Sequence, residues 1–198
     1  MRDCILHRKE RLIITAIEVL DELGIQGLST REIAKRQGVS EATLFRHYKS
    51  KNELLLGMLD HYSKFDNDIL QSAKLKKLSS KESIIFLIAS TMEYYENYPA
   101  VTSIMQIFDV LRYDSALRDK VNMILTNQSN MIKDLIEGAQ KEGDICAEAD
   151  SADLATAILG FCREICLKWR LSGQIFSLRK ETLSILDMTL KAFRKKEG

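Results

Sequence analysis

A chain of 198 residues, 45 % of them hydrophobic, carries enough apolar material for a substantial core, in one large domain or in a small one joined to a larger one. One proline and nine glycines, with β-branched residues spaced at helical rather than alternating intervals, exclude a disordered or β-rich chain and predict an all-α fold. The formal net charge is +1 and the longest apolar run, Ile84 to Ala89, is far too short to span a bilayer, so neither a uniformly basic chain nor a membrane segment is expected.

The first residues, MRDCILHRKER, are too charged to form a secretory apolar region, which predicts a cytoplasmic protein. Cys4, Cys146, Cys162 and Cys166 form no CxxC pair and are expected as reduced thiols. From Ile5 to Leu23, Leu12, Ile13, Ala16, Ile17, Val19, Leu20 and Leu23 make one broad helical stripe, and Gly24 supplies the stop. Arg8, Lys9 and Arg11 near its start either reach a phosphate or stay as solvated charges.

Leu28 to Lys51, LSTREIAKRQGVSEATLFRHYKSK, reads as two short helices joined by a glycine turn. Ser29 with Glu32 has capping-box spacing. Gln37-Gly38 ends that helix, and Ser40 before Glu41 caps the next one, Ala42 to Tyr48. Between Ser29 and Lys51 stand six Lys or Arg against two acids, about +4 in a chain of net +1. Such local basicity is the electrostatic footprint of phosphate binding. The plainer alternative is a solvated helical pair.

Ser50 with Glu53 opens a long helix lined by Leu55, Met58 or Leu59, Tyr62, Phe65 and Ile69. KLKKLSSK, 74–81, is the expected loop, and Ser79 with Glu82 caps an apolar helix running to Asn97. Pro99 suits the first turn of a short, buried helix from Ala100 to Leu111. After Tyr113-Asp114-Ser115 comes a long helix whose stripe includes Leu117, Val121, Gln128, Met131 or Ile132, Leu135 and Ala139. Gln128 either bonds a ligand or satisfies a neighbouring helix. Gly143 ends that helix, and Asp150 or Ser151 begins the next, with Leu154, Ile158, Phe161 or Cys162, Ile165 and Trp169 recurring at three and four. The last helix carries Leu183, Leu186, Leu190 and Phe193 in a heptad-like seam.

At STREIAKRQGVSEATLFRHYKSKNELL the chain resembles the N-terminal domain of the tetracycline-repressor (TetR/AcrR) family of transcriptional regulators. The motif covers about the first quarter of the chain; the remainder is similar in length and helical patterning. The resemblance implies a three-helix helix-turn-helix domain over 1–52, followed by a larger ligand-binding and dimerisation domain over 53–198, about nine helices in all. It implies a sequence-specific homodimer whose second reading helices enter successive major grooves of a double-stranded operator about 34 Å apart. It further implies a repressor that releases DNA on binding a small hydrophobic or amphipathic molecule, with no cofactor and no catalytic role.

By the same resemblance, Thr30, Arg31, Ser40, Glu41, Ala42, Thr43, Phe45, Arg46, His47, Tyr48 and Lys51 match positions facing DNA. Arg31, with Arg46, suits bidentate contact to guanine; Thr43 meets a thymine methyl or a phosphate; His47, Tyr48 and Lys51 anchor the backbone. Glu41 either accepts from a cytosine amino group or simply complements the helix N-terminus. Phe45 stands where the family often has tyrosine, so a phenolic phosphate contact is not available there. The expected ligand pocket draws on Tyr62, Phe65, Met92, Tyr95, Met105, Phe108, Gln128, Met131, Phe161, Ile165 and Trp169, apolar and adaptable with one polar group. A four-helix dimer interface would use Leu154, Ile158, Phe161, Ile165, Leu183, Leu186, Leu190 and Phe193. Cys162 and Cys166 lie four apart with no histidine near in sequence, which favours buried packing over a metal site or an oxidation sensor. No HExxH, GxSxG or glycine-rich phosphate loop is present to support an enzyme. A second class of function, a helical module that binds a protein through the same face and no longer reads DNA, is separated by Ala substitution at Arg31 and Thr43.

Overall fold

The computed structural model describes residues 8–195, so Cys4 and the expected helix start at Ile5 lie outside the described residues. Within them are ten α-helices, one 3₁₀ turn and no strand. They divide into two compact units: the described residues through Lys64 with Tyr98–Met123, and Phe65–Asn97 with the described residues from Ile124 onward. This differs from the boundary expected at residue 52, because a later stretch of chain returns to the N-terminal helices.

In the first unit, α1 (Arg8–Gly27) buries Leu12, Ile13, Ala16, Ile17, Val19 and Leu20, the stripe its 3.6-residue period demands. Gly24, at φ 67°, interrupts the helix where the sequence put its stop. Helix α1 packs on α2 (Thr30–Arg36), on the 3₁₀ turn Pro99–Thr102 and on α6 (Ser103–Gln106). After α3 (Glu41–His47), α4 (Lys51–Leu75) begins with Ser50 as its cap: Glu53 N–H donates to Ser50 Oγ at 3.1 Å, while the Glu53 carboxylate reaches one residue further back and accepts from Lys49 N–H at 2.7 Å. Leu54, Leu55, Met58 and Leu59 are buried. Gly57 on α4 allows a close approach, since a Cβ there would stand 2.8 Å from Ile13 Cδ1 and 3.0 Å from Tyr48 Cε1.

The helix expected from Ala100 to Leu111 is instead three pieces: the 3₁₀ turn, α6, and α7 (Phe108–Leu111). Thr102 and Ser103 hydroxyls donate to the Pro99 and Ala100 carbonyls at 2.7 Å, an alternative to a regular helical ladder. Ile107, at φ −101° and ψ 0°, separates α6 from α7. The segment is buried as expected at Val101, Ile104, Ile107 and Leu111. Asp114 then caps α8 (Ser115–Glu142), accepting from Leu117 N–H at 3.1 Å, and also takes a 2.5 Å hydrogen bond from Asn52 Nδ2.

In the second unit, α10 (Leu178–Ala192) packs on α5 (Ser80–Asn97) and on α9 (Ser151–Leu171). The Ser79–Glu82 capping box is reciprocal, at 3.2 and 2.8 Å. Ser80 donates through N–H and Oγ to Glu142 at 2.9 and 2.6 Å, and Ser177 Oγ donates to Glu96 at 2.9 Å. These bonds fix helix ends to neighbouring helices, while Leu154, Ile158, Leu186 and Leu190 fill the core.

Candidate nucleic-acid interface

The reading pair is assembled by caps. Ser29 Oγ accepts from Glu32 N–H at 3.2 Å and starts α2. The Glu32 carboxylate does not return to the cap. It accepts from Arg36 Nε at 2.9 Å, a bond that holds its pKa below the usual carboxylate value, and Arg36 also pairs with Glu22 at 2.8 Å. Gln37 Nε2 donates to Thr15 Oγ1 at 2.5 Å, tying the end of α2 to α1. Gly38, at φ 63°, turns the chain, with Val39 N–H bonded to the Ala34 carbonyl at 3.0 Å. Ser40 then caps α3, accepting from Thr43 N–H at 3.2 Å, and Leu44 anchors the helix with no exposed surface.

The outward face follows from that scaffold. Ser40, Glu41, Ala42, Phe45, Arg46 and Lys51 are exposed; Thr30, Thr43 and His47 are partly so. Phe45 is 44 % exposed, an aromatic left at the surface of a short helix. Arg31 is exposed and unpaired among the described residues. Arg46 Nη2 donates to Thr43 Oγ1 at 3.1 Å, and that oxygen lies 3.0 Å from Ser40 Oγ. Thr30 Oγ1 donates to Glu41 Oε2 at 2.9 Å, joining the first turns of α2 and α3. Two short helices thus present unpaired cations and oriented hydroxyls to solvent, the chemistry that neutralises phosphates and reads base edges.

Tyr48 departs from the sequence expectation. It is 3 % exposed, its hydroxyl donates to the Lys9 carbonyl at 3.2 Å, and the Lys9 ammonium lies 5.1 Å from its ring centre. Burial, with the carboxylates of Glu53, Asp60 and Glu10 adding to it, pushes its phenol up to about 12. As the C-cap of α3 it leaves the helix in an extended conformation and turns inward, so it serves the core rather than a DNA phosphate.

The expected pocket residues divide between the units. Tyr62, Met105 and Phe108 belong to the first, where the Tyr62 and Phe108 rings meet edge to face at 5.8 Å. The others belong to the second, with Met92, Tyr95, Ile165 and Trp169 buried. There Phe65 stacks on Tyr94 at 3.9 Å. Gln128 Nε2 donates to Asp66 Oδ2 at 2.8 Å, and burial raises the Asp66 carboxyl above its ordinary value while this bond lowers it in part. Asp66 escaped the sequence analysis, although it sits four after Tyr62 and three before Ile69 on the stripe of α4, where an acid is out of place. A groove of about 600 Å³ on the second unit, lined by Glu137, Gln140, Lys141, Glu148, Asp150 and Ser151 among others, includes none of the expected pocket residues.

The expected dimer seam is corrected by burial. Leu154, Ile158, Ile165, Leu186 and Leu190 are 0–5 % exposed in the monomer, so the regular three-and-four spacing records core packing. Phe161 and Leu183 are half-buried and Phe193 is 38 % exposed. Large apolar groups left open nearby are Leu167 and Leu171 on α9 and Met188 on α10. Burial also pushes the Cys162 and Cys166 thiols up to about 12 and about 11, so both behave as small hydrophobes. Among the described residues no group of His, Cys, Asp and Glu is arranged to hold a metal, and no helix is long and apolar enough to cross a membrane.

Two family models together match most of the chain: "Bacterial regulatory proteins, tetR family" over residues 12–58 and "YsiA-like protein, C-terminal region" over residues 58–192. The fatty acid metabolism regulator protein of Bacillus subtilis (strain 168) is 22 % identical over 187 residues, 94 % of this chain and 95 % of that one. The nucleoid occlusion factor SlmA of Vibrio cholerae is 23 % identical over 161 residues, 78 % of this chain and 80 % of that one. Among solved structures, the transcriptional regulator FadR from Bacillus subtilis in complex with stearoyl-CoA superposes with a TM-score of 0.81 at 22 % identity, covering 93 % of this chain and 98 % of that chain.

Proposed function

The chain belongs to the tetR family of bacterial regulatory proteins and is a DNA-binding transcriptional regulator, and from that premise we propose that it acts in the cytoplasm as a homodimeric repressor released from its operator by a long-chain fatty acyl thioester. Regulation by a small molecule accords with a second unit built as a separate helical body from the reading pair. The observation that supports DNA reading is the exposed set Arg31, Glu41, Arg46 and Lys51 around a fully buried Leu44. The acyl thioester is favoured by a relative that spans nearly the whole chain and is named for fatty acid metabolism, and by a structural neighbour that holds stearoyl-CoA. For the dimer, the outer faces of α9 and α10 are favoured, where Leu167, Leu171 and Met188 are exposed and would lose water on pairing.

Electrophoretic mobility shift on the DNA upstream of the protein's own coding region tests this. A specific complex whose affinity falls steeply between 50 and 200 mM salt is expected, with stearoyl-CoA dissociating it and free coenzyme A having no effect. A complex indifferent to stearoyl-CoA rejects the acyl thioester, and binding without sequence preference rejects the operator. Sedimentation of the leucine variants L167D and L171D as monomers is the expected outcome at the interface.

A further inference from the structure

The first turn of α3 is more committed than its exposure implies. Ser40 Oγ is engaged by the Thr43 N–H and hydroxyl, and Thr43 Oγ1 is engaged in turn by Arg46 Nη2. Ala42 offers a methyl group. Glu41 differs: Oε2 accepts the Thr30 hydroxyl at 2.9 Å, while Oε1 has no partner among the described residues. A surface glutamate ordinarily samples several rotamers, and ordering one costs free energy on binding. Here a hydroxyl from the neighbouring helix has already selected the conformer.

Resting on the DNA-binding assignment above, we propose that Glu41 reads a cytosine in the major groove through Oε1, and that Thr30 is the positioning residue that aims it. A carboxylate only accepts hydrogen bonds. Along the major-groove edge, cytosine presents the N4 amino donor; guanine presents two acceptors; thymine presents an acceptor and a methyl; adenine presents a donor beside the N7 acceptor. The carboxylate is therefore matched by cytosine and opposed by acceptors on each other base. Near phosphates its charge weakens binding to every sequence, so its contribution is discrimination, achieved by penalising the wrong base more than it rewards the right one. Arg31 and Arg46 on the same two helices supply the offsetting attraction.

Selection from a randomised duplex library, with the full-length protein at fixed salt, tests the assignment. In each half-site of the wild-type motif one cytosine is expected whose replacement weakens binding about tenfold, within the range for direct base contacts. E41Q should move the preference at that base pair from C toward A, because an amide offers adenine both a donor and an acceptor, and E41A should flatten it. T30V should relax the preference at the same pair more than at any other position, with T30S restoring it. A structural role for Thr30 would instead lower affinity for all sequences alike, and that outcome overturns the positioning role. A wild-type motif that neither E41Q nor E41A alters at any position overturns cytosine reading while leaving operator binding intact. A wild-type protein that selects no motif overturns both.

Discussion

Replacing Tyr48 by phenylalanine separates a core role from a DNA-contacting one. The substitution keeps the buried ring and removes one hydrogen bond, the 3.2 Å contact to the Lys9 carbonyl that ties the end of α3 to α1. A neutral hydrogen bond of this kind contributes about 1 kcal/mol net, and for a chain of this size that lowers the melting temperature by about 2–4 °C. The hydroxyl also carries a pH signature. Its pKa is raised from 10.0 to about 12, chiefly by burial, so the fold favours the neutral phenol. The stabilisation is then complete below pH 10 and is lost as pH rises from about 10 through about 12, on the order of 2 kcal/mol across that window. Urea denaturation from pH 8 to pH 12 should show wild type more stable than Y48F at pH 8 and the two curves crossing at about pH 11, because a loss of about 2 kcal/mol exceeds the hydrogen bond's about 1 kcal/mol, subtraction cancelling the lysines and the other tyrosines. Operator affinity of the folded variant should match wild type. Parallel curves, or an unchanged melting temperature with affinity reduced tenfold, would refute the inward role and return Tyr48 to the DNA surface.

Among the cations, R31A should reduce the slope of log affinity against log salt by about 1, whereas R36A should leave it nearly unchanged, because Glu22 and Glu32 already hold that guanidinium; fluorescence anisotropy across a salt series distinguishes them. At Asp66 burial favours the protonated carboxyl, so wild type loses stability as pH rises from 3.8 through the raised folded value, and D66N should lack that loss and be the more stable protein at pH 7. Urea titrations at pH 4 and pH 7 measure both, and a less stable D66N at pH 7 contradicts the burial argument. Alkylation by iodoacetamide at pH 8, mapped by peptide mass, should modify Cys146 and spare Cys162 and Cys166, whose buried thiols stay protonated. Modification of the latter pair at the same rate would mean that α9 opens readily.

Local chemistry made the reading pair legible. Ser29, Ser40, Ser50 and Ser79 each cap the helix the sequence placed after it, because a hydroxyl next to an orphan N–H needs only its own neighbours. What depends on other parts of the chain was not legible. Glu32 has capping-box spacing, yet Arg36 competes for its carboxylate one turn away. Leu186 and Leu190 recur as a dimer seam would, but a period reports that a stripe is covered without naming what covers it, and here α5 and α9 lie against α10. Tyr48 has the residue type of a phosphate anchor, and only the partner across the fold, Lys9, shows which way it faces. Asp66 became visible as a candidate once Gln128 was found opposite it.

The return of Tyr98–Met123 to the N-terminal helices constrains how this regulator can be taken apart. A fragment ending at residue 52 or 64 keeps the exposed cations and hydroxyls of α2 and α3 but strips α1 of the 3₁₀ turn and α6, including Val101 and Ile104 at 0 and 1 % exposure. Grafting the head onto another member's body therefore requires transplanting two separate stretches of polypeptide. In topological terms residues 65–97 are an insertion looped out of the head, and exchange of modules between relatives is hindered by the backbone path itself.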